Sequence, residues 1–221
     1  MSQSGTVGSR FAKATQDGVI SKAALTAINI PDIGADINAA LGVSVDDVSA
    51  SEVTLVTQLI DDSGSIRFVS GNTEAVRDGH NLILEALGKT KQKDGILSST
   101  SYLNGGLLSP YTQIDQAVKM DSRNYNPGGG TPLYEKSVVT LATVVAKCQD
   151  FQDNGIPCRT VTAIVTDGGD NNGLQGADKV KKIVADMLKA ENHIVIGVGI
   201  FDGQKDGNNK PIPGTGTDFK A

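Results

Sequence analysis

The apolar positions of the chain follow two rhythms, and their alternation predicts the architecture before any motif is considered. Val53, Leu55, Val56, Leu59 and Ile60 form a nearly continuous apolar run, the mark of a strand buried on both faces at the centre of a sheet. Ala75, Val76, Leu82, Ile83, Ala86 and Leu87 then recur at helical spacing up to Gly88, so a helix follows that strand. Gly95 to Tyr102 and Gly106 to Ser109 read as two strands joined by Asn104-Gly105, a dipeptide suited to tight hairpin turns, which places an antiparallel strand at one edge. A short helix is expected near Ile114 to Met120. Pro132 suits the first turn of a long helix reaching about Asp150, because its fixed φ and missing N–H are tolerated there, and Thr131 falls at or beside the N-cap.

Thr160 to Thr166 reads as a second buried strand, and Ala177 to Lys189 as a helix with Val180, Ile183, Val184 and Leu188 on one face. Ile194 to Val198 reads as a further strand, after which a loop rich in Gly, Asp, Asn and Pro runs to Thr217. Strands alternating with helices imply a doubly wound, mostly parallel α/β sheet, which places ligands at the carboxyl ends of its strands. Residues 1–50 read differently: a polar leader, then helical pieces at Ser21 to Ala27 and Ile33 to Leu41, broken at Pro31 and Gly42. They are expected to form an N-terminal helical extension packed on a main domain of residues 51–221.

Composition narrows the setting. At 221 residues one domain is the default, and 38% apolar with 20% charged residues is ordinary for a folded soluble chain. The net charge of −5, the absence of Trp and the scatter of the lysines argue against a nucleic-acid partner. No apolar run approaches the roughly 18 residues of a membrane span, and Met1 to Arg10 lacks the apolar core of a secretory signal, so no membrane association and a cytoplasmic setting are expected. The only cysteines, Cys148 and Cys158, are too few for a disulfide scaffold; a bridge between them would join a helix end to a strand start.

Three separated segments deliver small oxygen-bearing side chains toward one edge of the expected sheet: Asp61-Asp62-Ser63-Gly64-Ser65, Gly130-Thr131 and Asp167-Gly168. The first and third directly follow central strands. In an extended or tightly turning segment residues two apart face one way, so Asp61, Ser63 and Ser65 can all address one point while Asp62 and Gly64 face elsewhere. An all-oxygen set of this kind suits a hard divalent cation. The helix N-termini expected after Ser65 and Thr131 repel a cation, so the carboxylates must supply the compensating charge.

These residues carry a resemblance. Asp-x-Ser-x-Ser at 61–65, the Thr of Gly-Gly-Thr-Pro-Leu-Tyr at 131 and the Asp of Val-Thr-Asp-Gly at 167 resemble the metal-ion-dependent adhesion site of von Willebrand factor type A domains, over roughly Glu52 to Phe201. The resemblance implies a three-layer, Rossmann-like α/β fold with helices on both faces, and a metal-dependent protein-binding domain with no catalytic activity. It implies that Ser63 and Ser65 ligate Mg²⁺ (or Ca²⁺ or Mn²⁺) directly, that Asp61 acts mainly through bound water, and that Thr131 ligates in an open state. Asp167 would then reach the ion directly or through water, and a Glu or Asp of a partner protein would complete the shell. That family closes with a C-terminal helix, whereas here only Asp218-Phe219 marks its start, so either the closing helix is missing or another segment covers that face.

Two rival readings follow from the same residues. One is a magnesium-dependent hydrolase of phosphate esters, disfavoured because no general base, nucleophile or phosphoryl-holding Lys or Arg lies within the motif segments. The other, by analogy alone, is an adaptor subunit of an ATPase assembly. Weaker motifs resolve to plain roles. Gly130 to Ser137 echoes a phosphate loop but has Glu135 where glycine is needed, and Asp202 to Gly207 echoes half an EF-hand with Pro213 in place of the bidentate Glu. His80 and His193 are read as structural, Tyr134 as packing or loop support, and Asp62, Asp170, Asn171 and Asn172 as solvated loop residues beside the site.

Overall fold

The computed structural model of the protein describes residues 6–171 and 176–200. The loop beyond Phe201, the Asp218-Phe219 helix start, the Asp202 to Gly207 echo and Asn172 lie outside the described residues. Among the described residues five strands form one sheet: β1 Val53–Ile60, β2 Ile96–Tyr102, β3 Leu107–Gln113, β4 Cys158–Thr166 and β5 His193–Gly199. Their order is β3-β2-β1-β4-β5, with every pair parallel except β2–β3. The α/β fold with one antiparallel edge is therefore present, and β1 is its centre, as the nearly continuous apolar run predicts.

Among the described residues six α-helices accompany the sheet: α1 Val7–Gln16, α2 Lys22–Ile28, α3 Ile30–Ala40, α4 Asn72–Gly88, α5 Leu133–Asp153 and α6 Ala177–Lys189. Alternate residues of β1 serve the two faces. Val56 packs with Ile96 and Leu84 of α4 on one side, while Leu55 packs with Leu97 and Phe151 of α5 on the other. α5 is buried almost all round, since its Leu141, Val144 and Val145 share a cluster with Phe11, Ile20, Ile28 and Ile37 of the N-terminal helices and Ile183 and Met187 of α6.

Several expectations need correction. The polar leader contains α1, whose start is capped by Thr6 Oγ1 accepting from Ser9 N at 3.2 Å and whose Val7, Phe11 and Ala14 form a buried stripe. Pro31 does not break a helix; it sits in the first turn of α3, where no hydrogen bond is lost, and the break falls at Asn29 with φ 48°. The helix expected near Ile114 to Met120 is reduced to a 3-10 turn at Ile114–Gln116. Tertiary bonds take up the backbone beyond it: Asn81 Nδ2 donates to Met120 O, Met120 N donates to Asn81 Oδ1, and Val118 O contacts His80 Nε2. β3 runs past Pro110 to Gln113, which an edge strand tolerates. β4 is buried on one face only, through Cys158, Thr160, Thr162, Ile164 and Thr166, while Val161, Ala163 and Val165 are half-buried.

Candidate functional site

The parallel ladder between β1 and β4 continues one residue past the end of β1, because Asp61 N donates to Val165 O at 2.8 Å. That register sets Asp61 beside Thr166 and brings the 61–65 turn against Asp167. Asp61 is wholly buried, and each polar group is matched by a neutral donor. Its Oδ1 accepts from Ser63 N at 2.7 Å, an Asx-type turn, its Oδ2 accepts from Thr166 Oγ1 at 2.6 Å, and its carbonyl accepts from Tyr125 Oη at 2.7 Å. The carboxylate is thus held rigidly behind the turn that it shapes.

In front of Asp61 lies a chain of oxygens. Ser63 Oγ and Ser65 Oγ are 3.0 Å apart, and Ser65 Oγ donates to Asp167 Oδ1 at 3.0 Å. The structure therefore brings Ser63, Ser65 and Asp167 into direct contact and holds Asp61 one hydrogen bond behind them. Thr131 is buried on the facing loop and seated through its backbone, with its N–H donating to Asn171 Oδ1 at 2.5 Å and its carbonyl accepting from Asn171 N at 3.0 Å. α5 begins just beyond, at Leu133, with Pro132 in the N-cap position and Thr131 beside it.

The residues flanking these five have firmer roles than solvated loop. Asp62 is 7% exposed; its Oδ1 accepts from Asn104 N at 2.8 Å and Asn104 Nδ2 at 3.1 Å, and its Oδ2 accepts from Gly105 N at 2.8 Å. Asp170 Oδ1 accepts from Tyr134 N at 3.1 Å, so the loop after β4 grips the start of α5 through Asp170 and Asn171. Tyr125 is a further member that the sequence reading did not single out. Burial raises the pKa of its phenol, and the nearby charges of Asp61 and Asp62 add to the shift. Thr166 could have been found in the sequence, since it precedes Asp167 and ends the strand that flanks β1.

The chemistry available here is that of oxygen donors. Among the described residues no three His, Cys, Asp or Glu side chains come together as a metal-holding group, so a cation would have to be shared between carboxylates and hydroxyls. Both histidines bond elsewhere. His80 is buried in α4, and His193 opens β5 at the opposite end of the parallel strands, bonded through Nδ1 to Thr160 Oγ1 at 2.7 Å. Cys148 and Cys158 are both free thiols and buried.

No protein-family model matches the chain, and no curated protein matches it in sequence. Among solved structures it is similar to proximal thread matrix protein 1 from the mussel byssus, at 19% identity and a TM-score of 0.42, over 67% of this chain and 38% of that one. It is also similar to the pilus adhesin SpaC from Lactobacillus rhamnosus GG in its open conformation, at 18% identity and a TM-score of 0.42, over 55% of this chain and 15% of that one. The chain thus spans well under half the length of either protein, and likeness at this level carries no argument about activity.

Proposed function

We propose that the chain is a metal-dependent protein-binding domain of the von Willebrand factor type A kind, which grips a carboxylate on a partner protein through a divalent cation. The observation that carries this reading is the contact of Ser63 Oγ, Ser65 Oγ and Asp167 Oδ1 in 3.0 Å steps at the carboxyl edge of the sheet. Adjacent ligands of an octahedral ion with metal–oxygen distances of about 2.0–2.1 Å are separated by about 3 Å, so oxygens already this close could share a small divalent cation without large rearrangement.

On this reading Ser63 and Ser65 hold the ion, Asp167 and Thr131 face it, and Asp61 orients the serine turn while contributing charge from behind. When bound, the ion supplies a Lewis-acidic position for an incoming carboxylate. Asp61 and Asp167 together balance a dication, and Asp62 has its carboxylate turned into three N–H donors, away from the serines. Binding is favoured over catalysis because Asp61 is engaged by Ser63 N and Thr166 Oγ1, while the two histidines bond elsewhere, to Val118 O and Thr160 Oγ1.

The test is Mn²⁺ binding followed by the loss of its free-ion paramagnetic resonance signal, with the chain and with Ser65→Ala and Asp61→Asn. Saturable binding by the chain, weakened at least about tenfold in either variant while circular dichroism is unchanged, is expected. A partner recovered from the host on immobilised chain should be released by a chelator. Mn²⁺ binding that both substitutions leave intact would overturn the reading.

A further inference from the structure

Asn104 connects two parts of the molecule that a hairpin turn has no need to join. The turn between β2 and β3 is closed by its own backbone bond, Tyr102 N to Gly106 O at 2.7 Å. Yet Asn104 Nδ2 also donates outward, to Gly130 O at 2.7 Å, the carbonyl immediately before Thr131. The same side chain and its backbone N–H meet Asp62 Oδ1, and Gly105 N meets Asp62 Oδ2. Asp62 in turn accepts at its carbonyl from Gly128 N at 2.6 Å, and Gly64 N donates to Gly129 O at 3.1 Å.

Residues 128–130 are thereby bolted on one side to the serine turn and on another to the edge hairpin. The approach is close: Gly129 has φ +94°, and a Cβ there would lie 3.2 Å from Asn104 Oδ1. A carboxylate as buried as that of Asp62 costs free energy unless donors surround it, and three N–H groups do so only while the hairpin is docked. The arrangement therefore has one preferred docking and resists displacement.

We propose that Asp62 and Asn104 act as a positioning pair that fixes the Thr131 loop over Ser63 and Ser65, so that the affinity of the site for a divalent ion is set in part from the edge hairpin. Neither residue is a ligand. The inference rests on the reading of the site given above, and the experiment separates the two.

Mn²⁺ affinity is measured by paramagnetic resonance on the full chain and on Asp62→Ala, Asp62→Asn and Asn104→Ala, with Asp61→Asn alongside. Amide hydrogen exchange is followed in peptides covering residues 126–133. Loss of partners that orient a metal site typically weakens binding 10- to 100-fold, and Asp62→Ala and Asn104→Ala are expected to fall in that range with faster exchange at Gly128 to Thr131. Asp62→Asn keeps an oxygen for both Asn104 N–H groups and should lose less. Variants with a lower melting temperature but unchanged Mn²⁺ affinity well below it would show a purely structural pair and overturn the proposal. Should Asp62→Ala fail to fold, Asn104→Ala decides, since it leaves Asp62 bonded to Gly105 N. A chain that binds no Mn²⁺, or binds it equally well as Asp61→Asn, overturns the reading of the site and the pair with it.

Discussion

His193 is 4% exposed at the first position of β5, with Nδ1 on Thr160 Oγ1 and Nε2 buried without a hydrogen-bond partner among the described residues. Burial pushes its pKa down to about 4, from an ordinary value of 6.5. Between those values the unfolded chain binds a proton that the folded chain refuses. This contribution to stability is therefore complete above about pH 6.5 and is lost as pH falls toward 4, by up to about 3 kcal/mol. Burial lowers the pKa of His80 too, which acts in the same direction. Urea unfolding at pH 7, 5.5 and 4.5 should show the loss, and His193→Asn, which cannot titrate, should reduce it; an unchanged pH slope in that variant would refute the assignment. That the 61–65 turn and the segment after β4 meet at one edge was legible in the sequence, because strand order predicts which loops share an edge. Asp62, Asn104, Asn171 and Tyr125 were not, because their roles depend on which loop abuts which, and a lone Asp or Asn in a loop looks the same whether solvated or clamped. Lys147 is a sharper case: only 1% exposed, it donates to Val43 O and lies 5.0 Å from the Phe151 ring, and burial pushes its pKa to about 8, yet nothing in the helical pattern distinguishes it from a surface lysine.

At the scale of elements, periodicity was a good guide to where elements lie but not to which positions are buried, since Leu82 and Ile83 of α4 and Leu188 of α6 are exposed while His80, Leu84 and Met187 are buried, and it was a poor guide where tertiary hydrogen bonds compete. β1, α4, α6 and β5 lie close to where the pattern puts them. The 114–120 stretch has helical spacing but gives its backbone bonds to Asn81 and His80, and α1 was hidden because Gly8 and Ser9 dilute a stripe that is nonetheless regular at Val7, Phe11 and Ala14. Gly42 was read as a break, and the structure supplies the reason. It follows α3 with φ +61°, and a Cβ there would stand 1.9 Å from the carbonyl oxygen of Tyr111 in β3, where Val43 N donates at 2.9 Å. Gly18 also has positive φ, +78°, but has nothing within 4 Å of a built Cβ. Gly42→Ala should therefore cost both backbone strain and a steric shift, about 2–4 kcal/mol, whereas Gly18→Ala should cost only about 1 kcal/mol. Denaturant midpoints of the two variants check the contrast, and equal losses would mean that the chain after α3 can move away from β3.

At the scale of the whole molecule, the question is whether the N-terminal helices are an attachment or part of the core. Val7, Phe11, Ile20, Ile28, Ile37 and Leu41 occupy the same cluster as Leu141, Val144 and Val145 of α5, and Arg10 reaches Asp150 of that helix at 3.2 Å. α5 can carry so many buried positions, threonines and alanines among them, because it has the sheet on one side and these helices on the other. Burying six side chains of that size contributes on the order of 10 kcal/mol, comparable with the whole net stability of an ordinary domain. A chain starting at Ser51 would present the outer face of α5 to water while keeping the 61–65, 130–131 and 167–168 segments. It is expected to lose cooperative unfolding and to bind a hydrophobic dye such as ANS, even though no residue of that edge of the sheet has been removed. A single sharp thermal transition in that truncated chain, near that of the intact one, would show that the sheet, α4, α5 and α6 suffice as a folding unit.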